Sequence, residues 1–227
     1  MRRLGIIQPG RLGDIIICLP IAKWYADRGY EIFWPVHHSY LNSFKGYVDY
    51  VNFIGIGSLD CNEARKECIP LCNTIIDLSI TFPNSHPHND SVFYQLRQSM
   101  SFDQIKYGLA NVPFEEKWKL VFQRNLEAEQ NLENQISPVP DIFTLVHTKG
   151  SSESFVYHAE PNESVVYVTE TGSSIFDWCG LIKKANKIVA IDSSFANLVE
   201  QYGYAGPKFL VRRAADVRPV YKDWKII

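Results

Sequence analysis

Short apolar blocks alternate with polar ones along the chain, and the pattern predicts two rounds of strand–helix alternation. Leu4-Gly5-Ile6-Ile7-Gln8 has the look of a short buried strand, and Pro9-Gly10-Arg11-Leu12-Gly13 breaks it. An apolar run then opens at Asp14 and predicts a helix over 15–28, with Gly29 as its C-terminal stop. Pro20 should kink that helix, because it removes one backbone donor and crowds the preceding turn. Further strands are expected at 31–36, 48–56 and 73–78, and helices at 91–111 and 115–135. In the second of these helices Trp118, Val121, Phe122 and Leu126 recur at helical spacing, as a core face would.

Ser137-Pro138-Val139-Pro140 reads as a linker, after which the alternation restarts. Strands are predicted at 141–147, 164–168, 187–191 and 208–211, with helices over 174–185 and from Ser194 to about Tyr202. The expectation is an α/β protein of two compact Rossmann-like lobes facing a cleft, 1–136 and 141–227, with the tail free to pack back on the first lobe. No fixed-period repeat is visible.

Composition narrows the function classes. A net charge of -2 argues against holding nucleic acid by bulk electrostatics. The apolar run from Ile15 to Ala22 is too short for a membrane span, and Leu4-Gly5-Ile6-Ile7 too short for a secretory h-region. Five cysteines without framework spacing suit a reducing compartment, so a cytoplasmic protein without stable membrane insertion is expected.

Three strand-end clusters carry candidate chemistry. Gly10-Arg11-Leu12-Gly13-Asp14 joins a strand to a helix, where free N–H groups meet an anion or a sugar. Asp14 has two readings there: a helix cap, or a carboxylate at the ligand-binding edge of the sheet that accepts a proton from an attacking hydroxyl. Asp192-Ser193-Ser194 again joins strand to helix, and suits either a cap or a diphosphate. His147-Thr148-Lys149-Gly150 places a lysine among small polar residues at a strand end, as a solvated turn or a neutraliser of a leaving diphosphate. Neither the dinucleotide fingerprint nor a phosphate-loop lysine motif occurs.

Arg11-Leu12-Gly13-Asp14-Ile15-Ile16-Ile17-Cys18-Leu19-Pro20 resembles the N-terminal motif of the ADP-heptose lipopolysaccharide heptosyltransferase family. Asp192-Ser193-Ser194 is similar to that family's second-lobe Asp-(Ser/Thr)-Gly motif, although Ser194 stands for its glycine and Asn197 for its histidine. The chain is also shorter than a typical member. The resemblance implies a GT-B fold and an inverting mechanism without metal or other cofactor, with Asp14 as general base. It further implies that Thr148 and Lys149 meet the donor phosphates, with Asp192, Ser193 and Ser194 near the diphosphate or sugar and Glu170 by the nucleoside. Arg11 is a further candidate at the phosphates, and Gly13, His37 and His38 are expected on the acceptor side.

The remaining clusters add little. Cys61, Cys68 and Cys72 match no zinc spacing, His86-Pro87-His88 lacks nearby ligands, and no Asp-x-Asp clamp is present. The expected partners are a nucleotide-sugar donor and an acceptor glycan. Two alternatives stand beside that reading. One is a hydroxylated DNA base as acceptor, tracked by Arg2, Arg3, Lys106, Lys117, Lys119, Arg212, Arg213 and Arg218 and flipped from the duplex. The other is a nucleotide-sugar-binding module without catalysis.

Overall fold

The computed structural model describes residues 2–79, 95–96, 99–169, 174–213 and 219–227. The chain forms two units, Met1–Phe122 with Ala215–Val220 and Gln123–Ala214 with Tyr221–Ile227. The first unit therefore ends ahead of the Pro-rich stretch at 137–140, and a piece of the tail returns to it.

In unit 1 the strands β1 (Arg2–Ile7), β2 (Tyr30–His37), β3 (Val51–Ile56) and β4 (Thr74–Asp77) form a parallel sheet of order β3-β2-β1-β4. Helices α1 (Leu12–Ala26), α2 (Leu41–Phe44), α3 (Cys61–Cys68) and α4 (Phe102–Leu109) accompany it. Right-handed crossovers put α1 and α2 on one face and α3 on the other. On the α3 face Ile7 packs with Ile56, Cys61, Ala64 and Cys68. Gly5 lies on that face because a Cβ there would collide with the Cys68 sulfur. On the other face α1 is buried from Ile15 to Ala22, and α4 packs beside it.

The first helix starts at Leu12 and runs continuously through Pro20 to Ala26. The Tyr107 hydroxyl, on α4, donates to the Ile17 carbonyl at 2.9 Å, in the turn that the proline disturbs. Over 115–135 the expected single helix is replaced by a 3-10 turn, Phe114–Trp118, an irregular run, and α5 (Leu126–Ile136). Asn125 sets the new start by accepting the Ala128 N–H at 3.0 Å. The apolar spacing was misleading as a core face: Val121 is 45% and Leu126 65% exposed.

Unit 2 holds β5 (Thr144–His147), β6 (Val165–Tyr167), β7 (Lys187–Ile191), β8 (Lys208–Val211) and β9 (Trp224–Ile226), all parallel, in the order β6-β5-β7-β8-β9. Its helices are α5, α6 (Cys179–Lys184) and α7 (Ser194–Tyr202). α5 packs against α6, which is why it belongs to this unit rather than to the one before it. Glu129 of α5 takes both Arg124 Nε and Nη2, and lies against Gly180. β9 is the element that the ambiguous tail concealed. Buried Glu200 holds it, accepting from Lys222 N and Trp224 Nε1, both at 2.6 Å. Among the described residues no helix is long and apolar enough to cross a membrane.

Glu163 joins the strand starts of unit 2 by accepting from Thr144, Tyr157, Lys187 and the Glu160 N–H. Burial opposes its charge, but these donors win and lower its carboxyl from 4.5 to about 2. A depressed carboxyl stabilises the fold fully above its unfolded value, and that contribution is lost as pH falls through the folded one. Unit 2 should therefore lose stability between about pH 4.5 and about pH 2. Glu163→Gln should lower Tm at pH 7 by roughly 3–10 °C and flatten the Tm profile across that window. Superimposable acid profiles for variant and parent would count against this account.

Candidate functional site

In open parallel sheets, ligands bind beyond the carboxyl ends of the strands, where the strand order reverses. Unit 1 reverses between β1 and β4, and unit 2 between β5 and β7. The segments leaving these strands are Gln8 to Asp14 and Leu78-Ser79 in unit 1, and His147 to Gly150 and Asp192 to Ser194 in unit 2. Each singled-out strand-end motif thus lies at a reversal.

In unit 1 Arg11 occupies the cap position of α1 and is exposed, and Gly13 is in the helix's first turn. Asp14 is not the cap itself. It sits within the first turn, where Oδ2 accepts the Arg11 N–H at 3.1 Å and Oδ1 lies 3.4 Å from Lys106 Nζ. The carboxylate remains 22% exposed, whereas the lysine side chain is wholly buried. A partly exposed carboxylate steadied by one backbone donor and one ammonium is suited to accept a proton from a bound hydroxyl.

His37 ends β2 and stacks on His38 with ring centroids 4.3 Å apart. His37 Nδ1 lies 2.7 Å from the Ser39 hydroxyl, and His38 Nδ1 lies 3.2 Å from the Ile56 carbonyl. Both therefore stand at the carboxyl edge of the same sheet as Asp14. At the end of β4, Arg65 Nε donates to Asp77 Oδ2 at 2.8 Å and its Nη2 meets Ser79 at the same edge.

In unit 2 Ser193 caps α7, accepting the Ala196 N–H at 3.3 Å, and its Oγ lies 3.1 Å from His147 Nδ1. This bond joins the two strand ends that flank the reversal. Ser194 is the first residue of α7 and is half-buried. The chain after β5 doubles back tightly: Thr148 O accepts Phe155 N at 3.1 Å, and Gly150 N donates to Glu153 O at 2.8 Å. Lys149 lies in this loop with its side chain exposed.

Asp192 differs from the open anion site that its position suggests. Its carboxylate is buried, with Oδ1 accepting the Tyr221 hydroxyl at 2.7 Å and Oδ2 lying 3.8 Å from Arg213 Nη2. Burial, then the Asp192 charge, raises the Tyr221 hydroxyl well above its usual range, so it stays a donor. Arg213 also reaches Ser151 Oγ at 3.2 Å. Glu170, His86 and His88 lie outside the described residues.

Sequence reasoning missed Lys106 and Arg65 as neighbours of the first site, and Tyr221 and Arg213 as partners of Asp192. Among the described residues, most of the basic track expected for a DNA acceptor is engaged within the fold. Lys106 and Lys117 are fully buried in ion pairs, Arg3 pairs with Glu31, and Lys119 with Glu116. Arg2 donates to the Arg28 carbonyl, Arg213 faces Asp192, and Arg218 lies outside the described residues.

No protein-family model matches the chain, and no curated protein matches it in sequence. Solved structures do match in fold. A family 9 glycosyl transferase from Veillonella parvula aligns with TM-score 0.61 at 12% identity, covering 100% of this chain and 86% of that one. The ADP-heptose lipopolysaccharide heptosyltransferase II of E. coli aligns with TM-score 0.59 at 12% identity, covering 100% and 90%. The chain therefore has the α/β fold of these glycosyltransferases, with its two parallel sheets. A third similar structure, TibC from enterotoxigenic E. coli, is described as an iron-containing dodecameric glycosyltransferase. It aligns with TM-score 0.59 at 10% identity and covers 99% of this chain and 62% of that one. That structure corrects the expectation that this fold works without a metal cofactor. Among the described residues no group of three or more His, Cys, Asp or Glu is placed to hold a metal ion.

Proposed function

We propose that this protein is an inverting glycosyltransferase that moves a sugar from a nucleoside-diphosphate donor to an acceptor hydroxyl. The observation that carries the reading is that Asp14 and the Lys149/Ser193 pair of loops each sit at the order reversal of a parallel sheet, in a chain with the glycosyltransferase fold. Unit 1 supplies the acceptor side and unit 2 the donor side.

The acceptor oxygen attacks the anomeric carbon while Asp14 takes its proton, and the bond from that carbon to the diphosphate oxygen breaks. The electron pair leaves with the diphosphate. Lys149 and the positive end of the α7 dipole stabilise that charge. His147 keeps the Ser193 cap in place. Asp192, engaged with Tyr221 and Arg213, braces the loop rather than touching phosphate, since its own charge would repel an anion. His37 and His38 line the acceptor side.

The test is a panel of ADP-, GDP-, UDP- and dTDP-sugars, read by Tm and by release of nucleoside diphosphate. One donor should raise Tm by mass action and be turned over in the presence of glycan acceptors. A Tm rise with no release from any donor would identify a binding module instead. For the matching donor, Lys149→Ala should weaken affinity roughly 10- to 150-fold, the range of a charge-assisted hydrogen bond. Its Tm should change little, because contacts made by an exposed side chain contribute little to stability. Equal donor affinity in parent and variant would remove unit 2 from the donor side.

A further inference from the structure

Arg213 closely follows β8, and so far it figures only as a partner of Asp192. Its stem lies against the loop that leaves β5: a Cβ on Gly150 would stand 3.4 Å from Arg213 Cδ. Past that crossing, Nη1 donates to Ser151 Oγ at 3.2 Å, while Nη2 lies 3.8 Å from Asp192 Oδ2 beyond the end of β7. One guanidinium thus links the carboxyl ends of β5, β7 and β8, at the edge where the strand order of unit 2 reverses. The side chain is 20% exposed, so a molecule at this edge can reach it.

The contact with Asp192 is one of charge, since 3.8 Å is longer than a hydrogen bond. The carboxylate itself is fixed from its other oxygen, where the Tyr221 hydroxyl donates at 2.7 Å. Asp192 therefore keeps its place whichever way Arg213 turns. A guanidinium is a planar fork that meets two oxygens of a phosphate at once, with bonds stronger than those of neutral donors. Two further features of the edge favour an anion. Lys149 precedes Gly150 in the loop under the arginine stem, and α7 begins at Ser194 with the positive end of its dipole.

We infer that Arg213 is an anion-binding residue of unit 2, whose guanidinium turns from Asp192 to two oxygens of a diphosphate. That the diphosphate belongs to a sugar donor rests on the glycosyl-transfer reading; the anion site itself does not. Asp192 competes with the diphosphate for the guanidinium, so neutralising Asp192 tightens binding.

The experiment measures affinity by calorimetry for inorganic pyrophosphate and for ADP, GDP, UDP and dTDP. The proteins are the parent, Arg213→Met, Arg213→Lys, Asp192→Asn and Arg213→Met/Asp192→Asn. Arg213→Met should weaken pyrophosphate binding roughly tenfold or more, and Arg213→Lys, a point charge without the fork, should recover only part of the loss. Asp192→Asn keeps an oxygen for Tyr221 and should bind at least as tightly as the parent. Arg213→Met also leaves the buried Asp192 with less counter-charge and lowers Tm. The double variant lacks both charges, and it keeps the test decisive where the single variant folds poorly. It should bind roughly tenfold or more weakly than Asp192→Asn. Equal affinities in that pair would overturn the inference. So would a parent that binds none of these anions, or an Asp192→Asn protein that loses affinity. Arg213-dependent pyrophosphate binding without nucleoside-diphosphate release from any sugar donor keeps the anion site and rejects the transfer reading. Release that Arg213→Met leaves at the parent's rate and donor KM does the reverse.

Discussion

Asp14→Asn is expected to lower turnover by a factor on the order of 10²–10⁴, the usual contribution of a positioned general base. Asparagine can still accept the Arg11 N–H, so the start of α1 should hold. The ion pair is different. Lys106 is wholly buried, and Asp14 Oδ1 lies 3.4 Å from its ammonium. Neutralising Asp14 leaves that charge with less compensation, so the variant should also melt several degrees lower. The two effects separate in Asp14→Asn/Lys106→Gln. Removing the buried charge should return most of the Tm, while turnover stays at the level of the single variant. Donor affinity should match the parent in both, because the proposed donor contacts lie in unit 2. If the double variant regained near-parent turnover, the Asp14 carboxylate would not be the base, and His37 or His38 would be the next group to test.

The buried strands were legible because each is a short apolar run closed by polar or glycine-containing turns. KIVAI at 187–191 and KFLV at 208–211 coincide with β7 and β8. The order within each sheet was not legible, since it depends on which strands the crossovers pass. Failures cluster where tertiary contacts override spacing. Residues 115–135 repeat apolar positions at helical intervals, yet Lys117 is drawn into the interior by Asp103 and the helix restarts only at the Asn125 cap. β9 carries Trp224 and Lys225 in a short polar tail and exists because Glu200, on α7, holds Trp224.

The candidate site divides the same way. Asp14, Ser193 and Lys149 could be picked out because a strand, a small polar turn and a helix start follow one another in the sequence. Their partners could not. Lys106 is separated from Asp14 by 92 positions and Tyr221 from Asp192 by 29, and no local pattern links either pair. Gln8 illustrates a third case. Its identity was plain as the last residue of an apolar run, but that neither side-chain atom meets a partner among the described residues appears only once its surroundings are packed.

Lys117→Met is expected to destabilise unit 1 by about 3–5 kcal/mol, the loss seen when one member of a buried ion pair is removed. Lys117 and Asp103 are both 0% exposed, with Nζ 2.6 Å from Oδ2. The same oxygen accepts the Val220 N–H at 2.9 Å, and Lys117 donates to the Val220 carbonyl. The pair therefore holds the returning tail as well as the 3-10 turn. At roughly 2–4 °C of Tm for each kcal/mol in a chain of this size, the variant should melt on the order of 10 °C below the parent. Most of that loss reflects a buried carboxylate without its counter-charge, not the worth of the pair itself. Lys117→Met/Asp103→Leu should consequently recover much of the stability, with a coupling between the two sites of at least about 1 kcal/mol. The Val220 amide gives a local readout. It should keep its hydrogen-exchange protection in Lys117→Met, where Asp103 still accepts, and lose it in the double variant. Additive losses at the two positions, or a Lys117→Met protein melting within a degree or two of the parent, would mean that the charges are solvated and that the tail is held by packing alone.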